Sequence, residues 1–124
     1  MTRGRLVRGI ATAIALSEYT YFPLLEEHFG RDLDRIRLVS GGELGSDDPF
    51  SWWNTLRASV WDREVVKMEP RTTVGALVPA ALAASVYADV DEASDRLLRS
   101  HGQVPPDEHL RDAYAPAKDE FADE

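Results

Sequence analysis

The chain has 124 residues, 44% of them hydrophobic and 29% charged, which is the composition of an ordinary globular chain with one core and at most one domain. It has no cysteine, so disulfides, thiolate metal sites and cysteine nucleophiles are excluded, and a reducing, cytoplasmic setting is expected. The net charge of −8 is concentrated at the end, where from Asp107 onward seven acids stand against Arg111 and Lys118; no basic stripe offers to neutralise phosphates, which argues against a nucleic-acid partner.

Arg3, Arg5 and Arg8 precede a short apolar run, residues 10–16, and so imitate a secretory leader, but Glu18 and the aromatics beyond it suit an ordinary helix better. Leu6, Ile10, Ile14, Ser17 and Tyr21 recur in steps of four and three, which places them on one helical face. Pro23 ends or kinks that helix near Phe22, residues 24–29 resume it, and Gly30 is a left-handed C-cap.

Residues 36–39 are β-prone and end abruptly in Ser40-Gly41-Gly42, as a buried parallel strand does when it passes into a loop. Asp48 is placed to cap a helix whose first position suits Pro49, and Phe50, Trp53, Leu56 and Val60 form its inward stripe. A second strand spans residues 64–68, stopped by Pro70. Thr72 or Thr73 then caps a helix over residues 74–88, where Ala76, Ala80, Ala81, Ala83 and Ala84 allow close backbone approach. That stretch is the longest with almost no charge, and it is well short of the ~20 apolar residues needed to cross a membrane. A short helix over residues 91–99 and a helical, acidic tail over residues 105–124 complete the chain.

The fold class read from this order is α/β, α-β-α-β-α with extra C-terminal helices. Two strands joined by a helical crossover are expected to lie parallel with a right-handed connection. A parallel pair is a poor free-standing core, so the chain is expected to be part of a larger domain with more strands.

Several stretches together resemble the end of kinases of the FGGY carbohydrate-kinase family, the group of xylulokinase, ribulokinase and glycerol kinase. Leu6-Val7-Arg8-Gly9-Ile10-Ala11 is similar to the helix before that family's last nucleotide-binding segment. Ile36-Arg37-Leu38-Val39-Ser40-Gly41-Gly42 resembles its strand entering a glycine-rich loop beside adenosine. Residues 53–66 resemble the following helix and strand without gaps. Thr72, Gly75, Ala76 and the alanine-rich run to Tyr87, with the acidic continuation over residues 88–93, resemble the family's threonine-x-x-glycine-alanine helix.

The resemblance implies an actin-like ATPase, or ribonuclease H-like, fold, with residues 1–104 as the C-terminal nucleotide-binding portion of a sugar kinase. It implies ATP and magnesium as cofactors, with Gly41, Gly42, Glu43, Ser46 and Asn54 on the nucleotide side. Glycines at the carboxyl end of a strand suit that role on physical grounds, because they permit positive φ and bring amides close to a ligand. The catalytic base and the sugar site are expected in a domain outside this chain, which alone is expected to phosphorylate nothing. Three departures stand out: Glu43 replaces a small residue after the paired glycines, Leu44 to Asp48 make the loop longer than the family's, and Pro79 falls inside a helix.

Each feature has a plainer reading. Gly41 and Gly42 suit a strand-to-loop turn as well as nucleotide contact. Trp52 and Trp53 fit core or interface packing better than adenine stacking. His28, His101 and His109 are scattered and read as surface residues, and the pairs Glu26-Glu27 and Asp47-Asp48 point apart on adjacent positions. Beyond a sugar substrate reached through another domain, the partner classes left open are a complementing chain of a split kinase and a homodimer. The competing classes of function are a non-catalytic α/β interaction module and a truncated chain with no stable fold.

Overall fold

A computed structural model describes residues 1–39, 51–69 and 72–122. Along the chain it shows α1 (Arg3–Tyr19), α2 (Phe22–Phe29), β1 (Arg35–Val39), α3 (Ser51–Trp61), β2 (Glu64–Met68), α4 (Thr72–Ala83), α5 (Val90–Leu97), β3 (Ser100–Val104) and α6 (Glu108–Ala122). The strands are hydrogen-bonded in the order β1-β2-β3. The chain divides into two compact units, one of Met1–Ile36, Pro49–Val65 and Val104–Glu124, the other of Arg37–Asp48 and Val66–Gln103.

In the first unit α1 starts on Thr2, whose Oγ1 accepts a hydrogen bond from the Arg5 amide, satisfying one of the free amides of the first turn. It ends before Pro23, which occupies the first turn of α2, and α2 closes on Gly30 with φ 64°, both as the sequence predicts. The buried face of α1 differs from the expected one. Leu6, Ile10 and Ile14 are 51%, 54% and 45% exposed, whereas Ala11, Ala15 and Leu16 are buried. The reason is close approach to α3: the Trp61 indole Nε1 donates to the Ala15 carbonyl at 2.9 Å, and only a small residue leaves room for that ring.

Trp61 also meets Phe22 edge-on at 5.3 Å, and Leu56, Ala58, Val60 and Val65 are buried in the same unit. On α3, Ser59 is buried; its Oγ donates to the Thr55 carbonyl at 2.6 Å and accepts the Asp107 amide at 3.0 Å. Asp107 in turn caps α6 by accepting from the Leu110 amide at 3.0 Å. The predicted acidic tail is thus a helix packed on α3.

The predicted pairing of the first two strands is present. The Glu64 amide donates to the Asp34 carbonyl at 3.3 Å and Arg35 Nε lies 2.9 Å from Glu64 Oε1. The starts of β1 and β2 are therefore side by side, which makes the pair parallel.

In the second unit the Glu69 amide donates to the Arg99 carbonyl at 2.8 Å, so the end of β2 lies beside the start of β3 and that pair is antiparallel. The two-stranded sheet expected from the sequence is therefore corrected to three strands. β3 carries no apolar alternation, four of its five residues are exposed, and Gly102 sits at φ 142°. It is held by backbone pairing with nothing to bury, and its sequence does not announce a strand. Helix α4 is shorter than the predicted 74–88 and continues through Pro79. It stops where Ser85 adopts φ 56° and the Val86 amide donates back to the Ala81 carbonyl. α5 packs against α4 and is capped by Asp89, whose Oδ1 accepts from the Glu92 amide at 2.8 Å. Val66, Met68 and Ala93 are buried here.

Candidate functional site

Within the first unit, the N-terminal turns of α1 and α3 and the start of α6 enclose a groove of about 620 Å³. Arg3, Gly4, Val7 and Arg8 form one wall, Ser51, Trp52, Thr55 and Leu56 the other, and Leu110 the end. Residues 3, 4, 7 and 8 share a helical face by their spacing.

Arg8 is fixed from behind. Its Nε donates to the Tyr114 hydroxyl at 3.1 Å, and Thr12 Oγ1 lies 3.4 Å from the same oxygen and 2.9 Å from the Arg8 carbonyl. Burial pushes the Tyr114 phenol up, but the hydrogen bonds from Thr12 and Arg8 and the Arg8 charge outweigh it and hold the phenol below its ordinary value. With Nε engaged, the two terminal amines of the guanidinium remain as donors.

Trp52 is partly exposed. The next residue has a different environment: the Arg57 guanidinium lies 4.2 Å over the Trp53 ring, occupying one of its faces. For Trp53 this agrees with the packing role read from the sequence.

Of the residues predicted on the nucleotide side, Gly41, Gly42, Glu43 and Ser46 lie outside the described residues, as do Asp48 and Pro49. Asn54 is half-buried on α3, and its neighbours Ser51, Trp52 and Thr55 line the groove. His28, His101 and His109 are exposed as expected. Glu26 is engaged structurally, accepting from the Leu33 amide at 2.9 Å and from Arg63 at 3.3 Å. Among the described residues no three His, Asp or Glu side chains are grouped to hold a metal ion. Sequence reasoning missed the groove because its walls come from segments far apart in the chain, and the readings made of Arg3 and Arg8, a leader-like start and for Arg8 a family-like helix, did not point to a ligand.

A parallel β-α-β crossover with helices α1 and α3 packed together and an antiparallel third strand defines a mixed α/β fold of the kind found in sugar kinases. Over 99% of its length the chain superposes on a xylulose kinase from Rhodospirillum rubrum, with a TM-score of 0.71 and 23% identity. It superposes equally fully on a gluconate kinase from Lactobacillus acidophilus, with a TM-score of 0.74 and 19% identity, and on a ligand-bound xylulose kinase from the same organism, with 0.69 and 18%. The chain spans 24% to 25% of the length of these kinases. No protein-family model matches the sequence, and no curated protein does. The resemblance to carbohydrate kinases is thus borne out as a likeness of fold.

Proposed function

We propose that this chain supplies the adenosine-facing part of an ATP-dependent sugar kinase, with Gly41, Gly42, Glu43, Ser46 and Asn54 on the nucleotide side and the catalytic base on a domain outside it. The observation that carries the reading is the superposition of nearly the whole chain on one quarter of two kinds of sugar kinase. The parallel start of β1 and β2 supports it, because in open α/β sheets ligands lie across the carboxyl ends of parallel strands, and the glycine pair follows the carboxyl end of β1 in the chain.

ATP, when bound, supplies the phosphoryl group, and phosphoryl transfer needs little from the protein beyond positioning and charge stabilisation. The contribution assigned to this chain is positioning of the nucleotide, and no proton or phosphoryl transfer is assigned to its residues. Among the described residues no three His, Asp or Glu side chains are grouped to hold a metal ion; magnesium enters this proposal only as the companion of the triphosphate, and no step is assigned to it. A cytoplasmic location accords with this reading; among the described residues no helix is long and apolar enough to cross a membrane.

The exposed stripe of Leu6, Ile10 and Ile14 favours one companion reading, a complementing subunit that docks on a second polypeptide carrying the sugar site and base. Titration of isotopically labelled chain with a non-hydrolysable ATP analogue tests the main proposal. Saturable amide shifts confined to residues 40–47 and 54 are expected. Their absence would favour a non-catalytic interaction module.

A further inference from the structure

We infer that the groove between α1, α3 and α6 is a binding site for a small organic acid with an apolar or aromatic body. The inference is independent of the nucleotide reading. A volume of about 620 Å³ falls in the range of small-molecule sites, and the lining is of two kinds. Val7, Leu56, Leu110 and the partly exposed Trp52 supply apolar surface, while Arg3 and Arg8 supply charge.

The charge is selective. The chain as a whole carries −8, yet the described lining contains two arginines and no carboxylate. Arg8 is preorganised by its Nε bond to Tyr114, which turns a flexible cation into an oriented fork suited to a planar carboxylate. The wall at Gly4 is open, since a Cβ placed there would meet nothing within 4 Å. An apolar acid matches both features at once, its body against Trp52 and Leu56 and its anionic group on the arginine side. A neutral apolar molecule would leave the fork unused, and a sugar would leave the apolar wall unmatched.

Calorimetric titration with 2-naphthoate and with the uncharged 2-naphthylmethanol tests the assignment on the intact chain. Naphthoate is expected to bind with one-to-one stoichiometry and the alcohol at least about tenfold more weakly, the worth of one charge-assisted hydrogen bond. Arg8→Gln should weaken naphthoate by a similar factor without changing the alcohol. Gly4→Leu should fill the groove and abolish binding of both, with its thermal melt showing the fold retained. Equal affinity for acid and alcohol in the unaltered chain, undiminished binding by a folded Gly4→Leu variant, or displacement of naphthoate by ATP would each overturn the inference, the last by making the groove part of a nucleotide site.

Discussion

Glu18 near the end of α1 holds Arg57 of α3 through two hydrogen bonds, 2.6 Å from Nη2 to Oε1 and 3.1 Å from Nε to Oε2, while the guanidinium covers the Trp53 ring. Fork geometry and ring contact together make this pair more than a surface ion pair. Arg57→Ala should cost about 1–2 kcal/mol, a figure discounted for the part-exposure of both side chains. Arg57→Lys should recover less than half of it, because an ammonium cannot occupy both carboxylate oxygens and lie flat on the indole. Urea denaturation midpoints of the three proteins measure the difference.

The Trp61 indole offers a second test, since its ring is only 2% exposed and its N–H is spent on the Ala15 carbonyl. Trp61→Phe keeps most of the apolar contact with Phe22 but loses that bond and leaves a void, for an expected loss of about 1–3 kcal/mol. Ala15 is 0% exposed, so Ala15→Leu should cost about 1–3 kcal/mol by overpacking against the same ring. In a double variant the two losses should fall short of additive, because the smaller phenyl ring vacates space that leucine can use.

What the sequence disclosed depended on whether local chemistry or tertiary context set the outcome. Pro23 and Gly30 act through their own backbone constraints, and both helix ends fell where those constraints require. The parallel pairing of β1 and β2 was legible from the crossover helix between them. The stripe of Leu6, Ile10 and Ile14 has sound helical period, yet periodicity identifies a face without saying what covers it, and the buried side went to Ala11 and Ala15 because a tryptophan approaches there. β3 was illegible because Ser100, His101 and Gly102 are exposed and carry no alternation. Of the expected nucleotide residues, only Asn54 is described, and the groove could not be seen at all until α1 and α3 were side by side.

Among the described residues two other than glycine have positive φ, and they should respond differently to relief. Asp62 at φ 52° and Ser85 at φ 56° each follow a helix in the left-handed position, where the next amide reaches back: Arg63 to the Ala58 carbonyl and Val86 to the Ala81 carbonyl. Aspartate visits this region more readily than serine does. Ser85→Gly should therefore stabilise by about 0.5 kcal/mol after the added chain entropy of glycine is subtracted, whereas Asp62→Gly should be neutral or slightly destabilising. Thermal melts of both single variants settle the order.

Acid sensitivity should trace in part to Glu26. The hydrogen bond from the Leu33 amide holds its carboxyl below the ordinary value of 4.5, with burial opposing it and the Arg63 guanidinium adding to it. A carboxyl whose value is lower folded than unfolded binds more protons in the unfolded chain, so its contribution is fully present above about pH 4.5 and disappears as the pH falls through the lowered folded value. Melting temperatures of the unaltered chain and of Glu26→Gln should differ most near neutral pH and converge only as the pH falls through the lowered folded value. A gap that stays constant with pH would show that the carboxylate charge contributes nothing to stability.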